Sequence, residues 1–377
     1  MQNQLEREYH LGIFDLLKGY AMISIVVFHT SINFNEQAAG LIGDRVGLQL
    51  LEQLYYQIPL LMNCCILLFF MISGFGFRPS DGRTCLKKQA KTLLLPYAIC
   101  GVVEIVTCLF TYGFFETGFT KELWFHVYRR ILGYVLGIIN DTTAFGYSVK
   151  GVGPVWFLAA LFLSWNILNA LMQRLSQKQT AVVVGLITVF GFVIANVMQP
   201  FYFVCQGMMG TGFLYLGYLM REKRLLLKKH PWWIWVLLGI GSFISIVFGY
   251  FGIAGYVWKL GFLELVFGGC SAYLLMYLAV GVDDAIGEWA DGIRTIGRYS
   301  LWIMCCHTIE NQGMPWYLMK DLFGDHVIAG VLCMVCIKGI CIYLMYRLLM
   351  RIQKWQKKRR RTKRKQERNE KYVRDNC

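Results

Sequence analysis

The sequence predicts an all-α fold: an integral membrane bundle of about ten transmembrane helices with both termini cytoplasmic. Three observations carry this. Of 377 residues, 56% are hydrophobic and only 16% charged, where a soluble domain carries about 25% charged residues. Apolar runs of about 20 residues, each long enough to span a bilayer, recur along most of the length. Lys and Arg are unevenly shared between the segments joining those runs. Seven prolines and a positive mean hydropathy exclude a disordered or collagen-like chain.

The first run, near 11–32, follows ten largely polar residues. It carries Asp15 and Lys18 and lacks a small-residue cleavage site, so it reads as a span and not a removable signal. The second and third runs, near 56–77 and 92–115, flank a basic loop at 78–91. The segment 116–151 is too short for a globular domain and holds Trp124, Phe125, Tyr128, Arg129, Arg130 and Tyr134. It reads as an amphipathic stretch lying in the interface, with part of a substrate mouth as the alternative. Further runs follow near 152–173, 180–198, 202–220, 232–253, 261–280, 295–315 and 327–350. Lys228 to Trp233 reads as a helix start with an aromatic belt, an anchor and not a site. Residues 1–350 form the membrane domain and 351–377 a basic tail.

Orientation follows from the positive-inside rule. With a cytoplasmic N-terminus, inside segments collect 28 Lys/Arg: Arg7, the 78–91 loop, Arg174, Lys178, the 221–229 loop, Arg294, Arg298 and the tail. Outside segments collect seven: Arg45, Lys121, Arg129, Arg130, Lys150, Lys259 and Lys320. The loop at 281–294 is acidic through Asp283, Asp284, Glu288 and Asp291, but acids weigh little in this rule. The tail holds thirteen Lys/Arg against Glu367, Glu370 and Asp375, which is +10 of the net +15. A basic tail after a hydrophobic span points to anionic lipid headgroups and not to nucleic acid.

Eleven of the thirteen cysteines lie inside apolar runs, where a free Cys behaves as a small hydrophobe. The pair Cys333 and Cys336 has redox spacing but sits mid-span without a second pair, and reads as core packing.

A charged group at mid-bilayer costs about 2.5 kcal/mol or more, so each is a functional candidate. These are Asp15, Lys18 and His29 in the first run, Glu104, Glu264, His307 with Glu310, and Lys338. At about 100° per residue, Asp15, Lys18 and His29 share an arc of roughly 60°, and Ser300, His307 and Glu310 one of roughly 80°. His29 lies about 21 Å beyond Asp15 along a helix. Two polar faces can therefore meet in a tunnel across the membrane. Histidine accepts a proton near neutral pH, and a neighbouring carboxylate orients it. The plain alternative for a membrane histidine is a hydrogen bond to the next helix, and the residues alone leave both open for His29. His307 reads as supporting. Lys338, Glu104 and Glu264 read as interhelical pairs. His307 and Glu310 offer two metal ligands without a third, so no metal is expected. Adjacent Cys306 and His307 point about 100° apart and do not make a nucleophile pair.

Four stretches share a resemblance. Asp15 to His29 places Asp, then Lys three residues on, then His eleven later. Phe69-Phe-Met-Ile-Ser73-Gly74-Phe75 closes the second run, Gly153-Pro-Val-Trp156-Phe157-Leu158 opens the fourth, and Gly297-Arg-Tyr-Ser300 leads to His307. In order along the chain, they resemble the motifs of acyltransferase family 3 membrane proteins. The resemblance implies an integral-membrane O-acyltransferase of about ten helices. It would take acetyl or a similar acyl group from cytoplasmic acyl-CoA, a substrate and not a bound cofactor. The acceptor would be a hydroxyl of an extracytoplasmic or lipid-linked carbohydrate or cell-envelope glycan, in a bacterial-type plasma membrane. His29 matches the family's essential histidine and Lys18 the basic residue facing the donor. Arg83, Lys88 and Lys91 match a basic stretch that runs into Leu-Leu-x-Pro-Tyr. Here Gln89 and Thr92 stand where relatives often carry Arg, and lysine binds phosphate as a point charge and not as a fork.

The expected site is then His29 with Glu310 for catalysis, and Asp15, Lys18, Ser73, Arg83, Lys88, Lys91, Trp156 and His307 for donor or substrate. The competing class is a transporter or flippase using the same tunnel, with His29, His307 and Glu310 as a relay. No matching pair of broken helices stands out in the two halves of the sequence to favour it.

Overall fold

The computed structural model describes residues 11–34, 63–116, 118–198, 203–249, 253, 258–320, 322–323 and 326–376. Residues 1–10 with Arg7, residue Arg45 and the stretch 56–62 lie outside the described residues, as do the side chains of Asp283, Asp284, Lys320 and the tail beyond 355.

The described residues are helical almost throughout. α1 (Leu11–Ser31) and α2 (Asn63–Phe75) lead into α3 (Gly82–Gln89), a π-helical segment at Ala90–Leu94, and α4 (Leu95–Phe115). α5 (Lys121–Leu136) and a hairpin of β1 (Thr142–Ala144) and β2 (Tyr147–Val149) precede α6 (Trp156–Arg174), α7 (Gln177–Val197), α8 (Val204–Glu222) and α9 (Trp232–Phe248). α10 (Leu263–Ile286), α11 (Asp291–Arg298), α12 (Ser300–Gly313), the short α13 (Tyr317–Lys320) and α14 (Val327–Asn376) complete the fold.

Each of the ten predicted runs overlaps a helix. Among the described residues, six helical stretches are long and apolar enough to cross a membrane: Gly12–Ser31, Gly82–Phe115, Gly153–Arg174, Gln177–Val197, Leu263–Gly281 and Val327–Trp355. Cys64–Phe75 and Trp232–Phe248 are apolar but shorter. The ninth run, 295–315, divides at Tyr299 into α11 and α12. The six spans reach only 22–56% burial within the protein, and side chains such as Phe110, Val182, Leu186 and Leu344 point outwards, as a lipid-facing surface requires.

Two pairs of glycines set the closest helix approaches. A Cβ at Gly74 would overlap the Leu214 carbonyl, and one at Gly217 the Met71 carbonyl, so α2 and α8 meet backbone to backbone. Gly19 and Gly297 make the same contact between α1 and α11, with Gly297 against the Asp15 carbonyl. Small residues allow this approach where lipid gives no hydrophobic drive between helices. Gly297→Ala is expected to push α11 off α1 and cost about 1–3 kcal/mol, seen as a lower unfolding temperature in detergent; an unchanged temperature would show the contact to be loose.

The 116–151 segment is more ordered than its length suggests. α5 buries Leu123, Val127, Arg130 and Gly133 and turns Trp124, Phe125, Tyr128 and Val135 outwards, so the stretch read as amphipathic is a helix with one buried and one exposed face. The hairpin was not expected. Its two-residue loop, Phe145-Gly146, has positive φ at both positions (52° and 79°), the geometry that two-residue hairpins favour. Beside it, Lys150 and the Gly151 N–H bind Asp141. Burial raises that carboxyl, but the Lys150 and Gly151 hydrogen bonds outweigh it and hold it below the usual range.

Candidate active site

α1 and α12 lie side by side with their polar faces together. At one end Lys18 Nζ pairs with Asp15 Oδ1 at 2.7 Å, and Arg298 Nε approaches Asp15 Oδ2 at 3.5 Å. Arg298 was not singled out in the sequence, because nothing there says that α11 folds back on α1. Next to this pair is a cavity of about 250 Å³. Its polar lining is Lys18, Ser73, Gln89, Thr92 and Ser300, with Phe69, Phe157 and Trp165 among its walls. Gln89 and Thr92 thus face the cavity from the π-helical turn. Pro96 accounts for that turn: without an N–H it cannot bond the Thr92 carbonyl, and the register widens.

Further along the same two helices the histidines meet. The rings of His29 and His307 lie 5.3 Å apart, centroid to centroid. His307 Nδ1 is 2.7 Å from Glu310 Oε1, and all three of His307, Glu310 and Lys338 are fully buried. Lys338 Nζ stands 3.7 Å from Glu310 Oε2, donates to Asn311 Oδ1 at 2.9 Å and sits 5.0 Å from the centre of the Trp316 ring. Trp316 Nε1 in turn donates to the Glu310 carbonyl at 2.9 Å. With Glu310 accepting from Nδ1–H, His307 Nε2 is left as a buried acceptor without a protein partner among the described residues. The carboxylate that was expected behind His29 is therefore placed on His307. Met304 and Met22 line the cavity one and two turns from His307 and His29, about 5 and 10 Å along the helices.

The structure brings Lys18, Ser73 and Ser300 to the cavity and Asp15 to its edge. Arg83, Lys88 and Lys91 are exposed on the outer side of α3 and the π-helical turn and are not among the lining residues. Trp156 is buried at the start of α6, edge-on to Phe157, and does not line the cavity either. Glu264 accepts from the Leu260 N–H at 2.8 Å, four residues back in its own chain. Cys333 and Cys336, expected in the core, are exposed on the outward face of α14: the face carrying Lys338 and Met334 turns inwards, and these two sit on the other. Among the described residues no three His, Cys, Asp or Glu converge as a metal site.

A second buried ion cluster braces the end of α12. Arg130 Nη1 meets Glu104 Oε1 at 2.5 Å, Tyr134 donates to Glu104 Oε2 at 2.6 Å, and Arg130 Nη2 donates to the Gln312 carbonyl at 2.8 Å. Thr111 donates to the Gly313 carbonyl at 2.6 Å. These bonds satisfy carbonyls at the C-terminal end of the helix that carries His307 and Glu310. Arg130→Met strands the Glu104 carboxylate and is expected to cost about 3–5 kcal/mol. Thermal unfolding in detergent checks this, and the further change Glu104→Gln is expected to return most of the loss.

Neither a curated protein nor a solved structure matches the chain. The acyltransferase family 3 model, described as an acyltransferase domain, matches residues 11–347, from the start of α1 to the span of α14. With the motif residues of α1, α2, α6 and α12 held in one helical bundle, the chain belongs to acyltransferase family 3 and is a membrane acyltransferase.

Proposed function

We propose that the protein is an O-acyltransferase of a bacterial-type plasma membrane. It moves an acetyl or similar acyl group from cytoplasmic acyl-CoA to a hydroxyl of an extracytoplasmic or lipid-linked carbohydrate or cell-envelope glycan. The observation that carries this reading is the His29–His307 pair backed by Glu310, set on the same two helix faces as a cavity containing Lys18.

The chemistry follows from that arrangement. The acyl-CoA thioester enters at the Asp15–Lys18 end, where Lys18 gives one cation and the exposed Arg83, Lys88 and Lys91 supply more at the outer surface. His29 takes the proton of the acceptor hydroxyl as its oxygen attacks the thioester carbonyl. The carbon–sulfur bond breaks, the coenzyme A thiolate leaves, and the proton held on His29 passes to it, which restores the neutral imidazole. Glu310 fixes the tautomer of His307, whose ring packs beside His29.

The test is free thiol released from acetyl-CoA by purified protein in lipid, with and without crude cell-wall glycan. Release that requires glycan supports the proposal. No release with any donor or acceptor, together with solute flux across the same vesicles, would replace it with the transporter reading.

A further inference from the structure

A second cavity, of about 420 Å³, separates α11 from α14. α14 gives it one continuous face, Val335, Gly339, Ile342 and Tyr346, at the i, i+4, i+7, i+11 spacing of a helix stripe. Its floor is Met22 and Val26 of α1 and Ile303 of α12. From Val335 to Tyr346 it runs for about 16 Å of helix rise, close to half of a hydrocarbon core of about 30 Å. Its lining is almost wholly apolar, and its few hydroxyls gather at the Tyr346 end.

That end is also the cationic one. The Tyr299 and Tyr346 rings are 5.2 Å apart. Arg347 Nη1 donates to the Tyr343 hydroxyl at 2.8 Å, and Tyr343 lines the cavity. Arg298, beside Tyr299, leaves 62% of its side chain exposed. An apolar trough one leaflet deep, ending at arginines and tyrosine hydroxyls, has the charge pattern of a lipid with a tail and a phosphate. Within the membrane no water competes for such a trough, and left empty it forfeits the dispersion contacts of its walls.

We infer that the cavity between α11 and α14 is a binding site for one anionic diacyl phospholipid, with an acyl chain along Gly339 and Ile342 and the phosphate at Arg347 and Tyr343. The seat adjoins the candidate active site. Val26 and Ile303 lie one turn from His29 and His307, and Ile342 packs on Val26 and Cys306 one turn from Lys338. A seated chain thus braces the part of α14 that holds Lys338 against Glu310. The binding claim does not depend on the acyl-transfer reading, and binding is what the test reads.

The test is retention of added phosphatidylglycerol, against phosphatidylcholine, by the purified full-length protein in native mass spectrometry. A Cβ at Gly339 or at Gly292, on the opposite wall, meets nothing within 4 Å. Both positions have room for a Cβ, so Gly339→Phe and Gly292→Phe each start a bulky ring from an open point on one wall of the trough, and either suffices if the other misfolds. The wild type is expected to retain one phosphatidylglycerol at least about tenfold better than phosphatidylcholine. Either Phe variant is expected to lose that lipid, and Arg347→Gln to lose the preference for the anionic headgroup. Equal retention of the two lipids, undiminished retention in a folded Phe variant, or preference for a polyprenyl phosphate would each overturn the inference.

Discussion

His29→Ala is expected to lower acyl transfer by at least about 10³-fold while the protein still folds and inserts. Proton transfer by a positioned side chain contributes roughly 10²–10⁴-fold, and in the proposed mechanism His29 is the group that takes the acceptor's proton. His29 stands ring to ring with His307, 5.3 Å between centroids, so the neighbouring residues grade the effect. His307→Ala removes the ring between Glu310 and His29 and is expected to cost about 10²-fold. Glu310→Gln keeps the shape and a hydrogen bond and is expected to cost about tenfold. The measurement is initial thiol release under saturating acetyl-CoA for all three variants, beside their unfolding temperatures. Transfer by His29→Ala within a factor of ten of wild type would take the residue out of the mechanism. A larger loss from His307→Ala than from His29→Ala would exchange the roles of the two rings.

A loss of stability as large as that of Arg130→Met is expected from Lys338→Met. Lys338 and Glu310 are both fully buried with 3.7 Å between Nζ and Oε2. Removing the ammonium leaves the carboxylate without its cation in a dry interior, at about 3–5 kcal/mol. The Asn311 amide oxygen loses its donor at the same step. The double change Lys338→Met with Glu310→Gln removes both charges and is expected to recover most of the unfolding temperature but not the transfer rate. Recovery of stability without activity would separate charge balance from catalysis at this pair. An unchanged unfolding temperature in Lys338→Met alone would show that the two groups do not interact.

Much of this architecture is legible in the sequence, for physical reasons. An apolar run of membrane length has few structures open to it, so runs such as 180–198 and 327–350 fall on helices. Polar residues at helical spacing in such runs must face inwards, which is how Lys18, His29 and His307 point to a shared interior. The partner of each buried charge is less legible. Arg130 reaches Glu104 from α5, and Lys338 reaches Glu310 from α14; spacing along the chain encodes neither choice. The hairpin escaped because strands of three residues carry too little alternation to notice, and Phe145-Gly146 is not one of the usual turn pairs. The break at Tyr299 escaped because the apolar run resumes at Leu301 beyond Arg298 and Ser300, and nothing in the spacing says that Gly297 docks on α1. Cys333 and Cys336 show the reverse limit: apolarity places a residue in the membrane without telling the core face from the lipid face.

The contact between α1 and α12 also bears on biosynthesis. His29 and its partner ring are about 280 residues apart, and at roughly 5–20 residues per second the first helix waits some 15–60 s before the ninth predicted run exists. For that interval Asp15, Lys18 and His29 enter the bilayer on a helix whose tight-packing glycine, Gly19, has nothing to meet. The Asp15–Lys18 pair, one turn apart in the same helix, is, among the described residues, a neutralisation available without waiting. Substitutions that break it should therefore lower the yield of inserted protein more than they lower the stability of the finished fold.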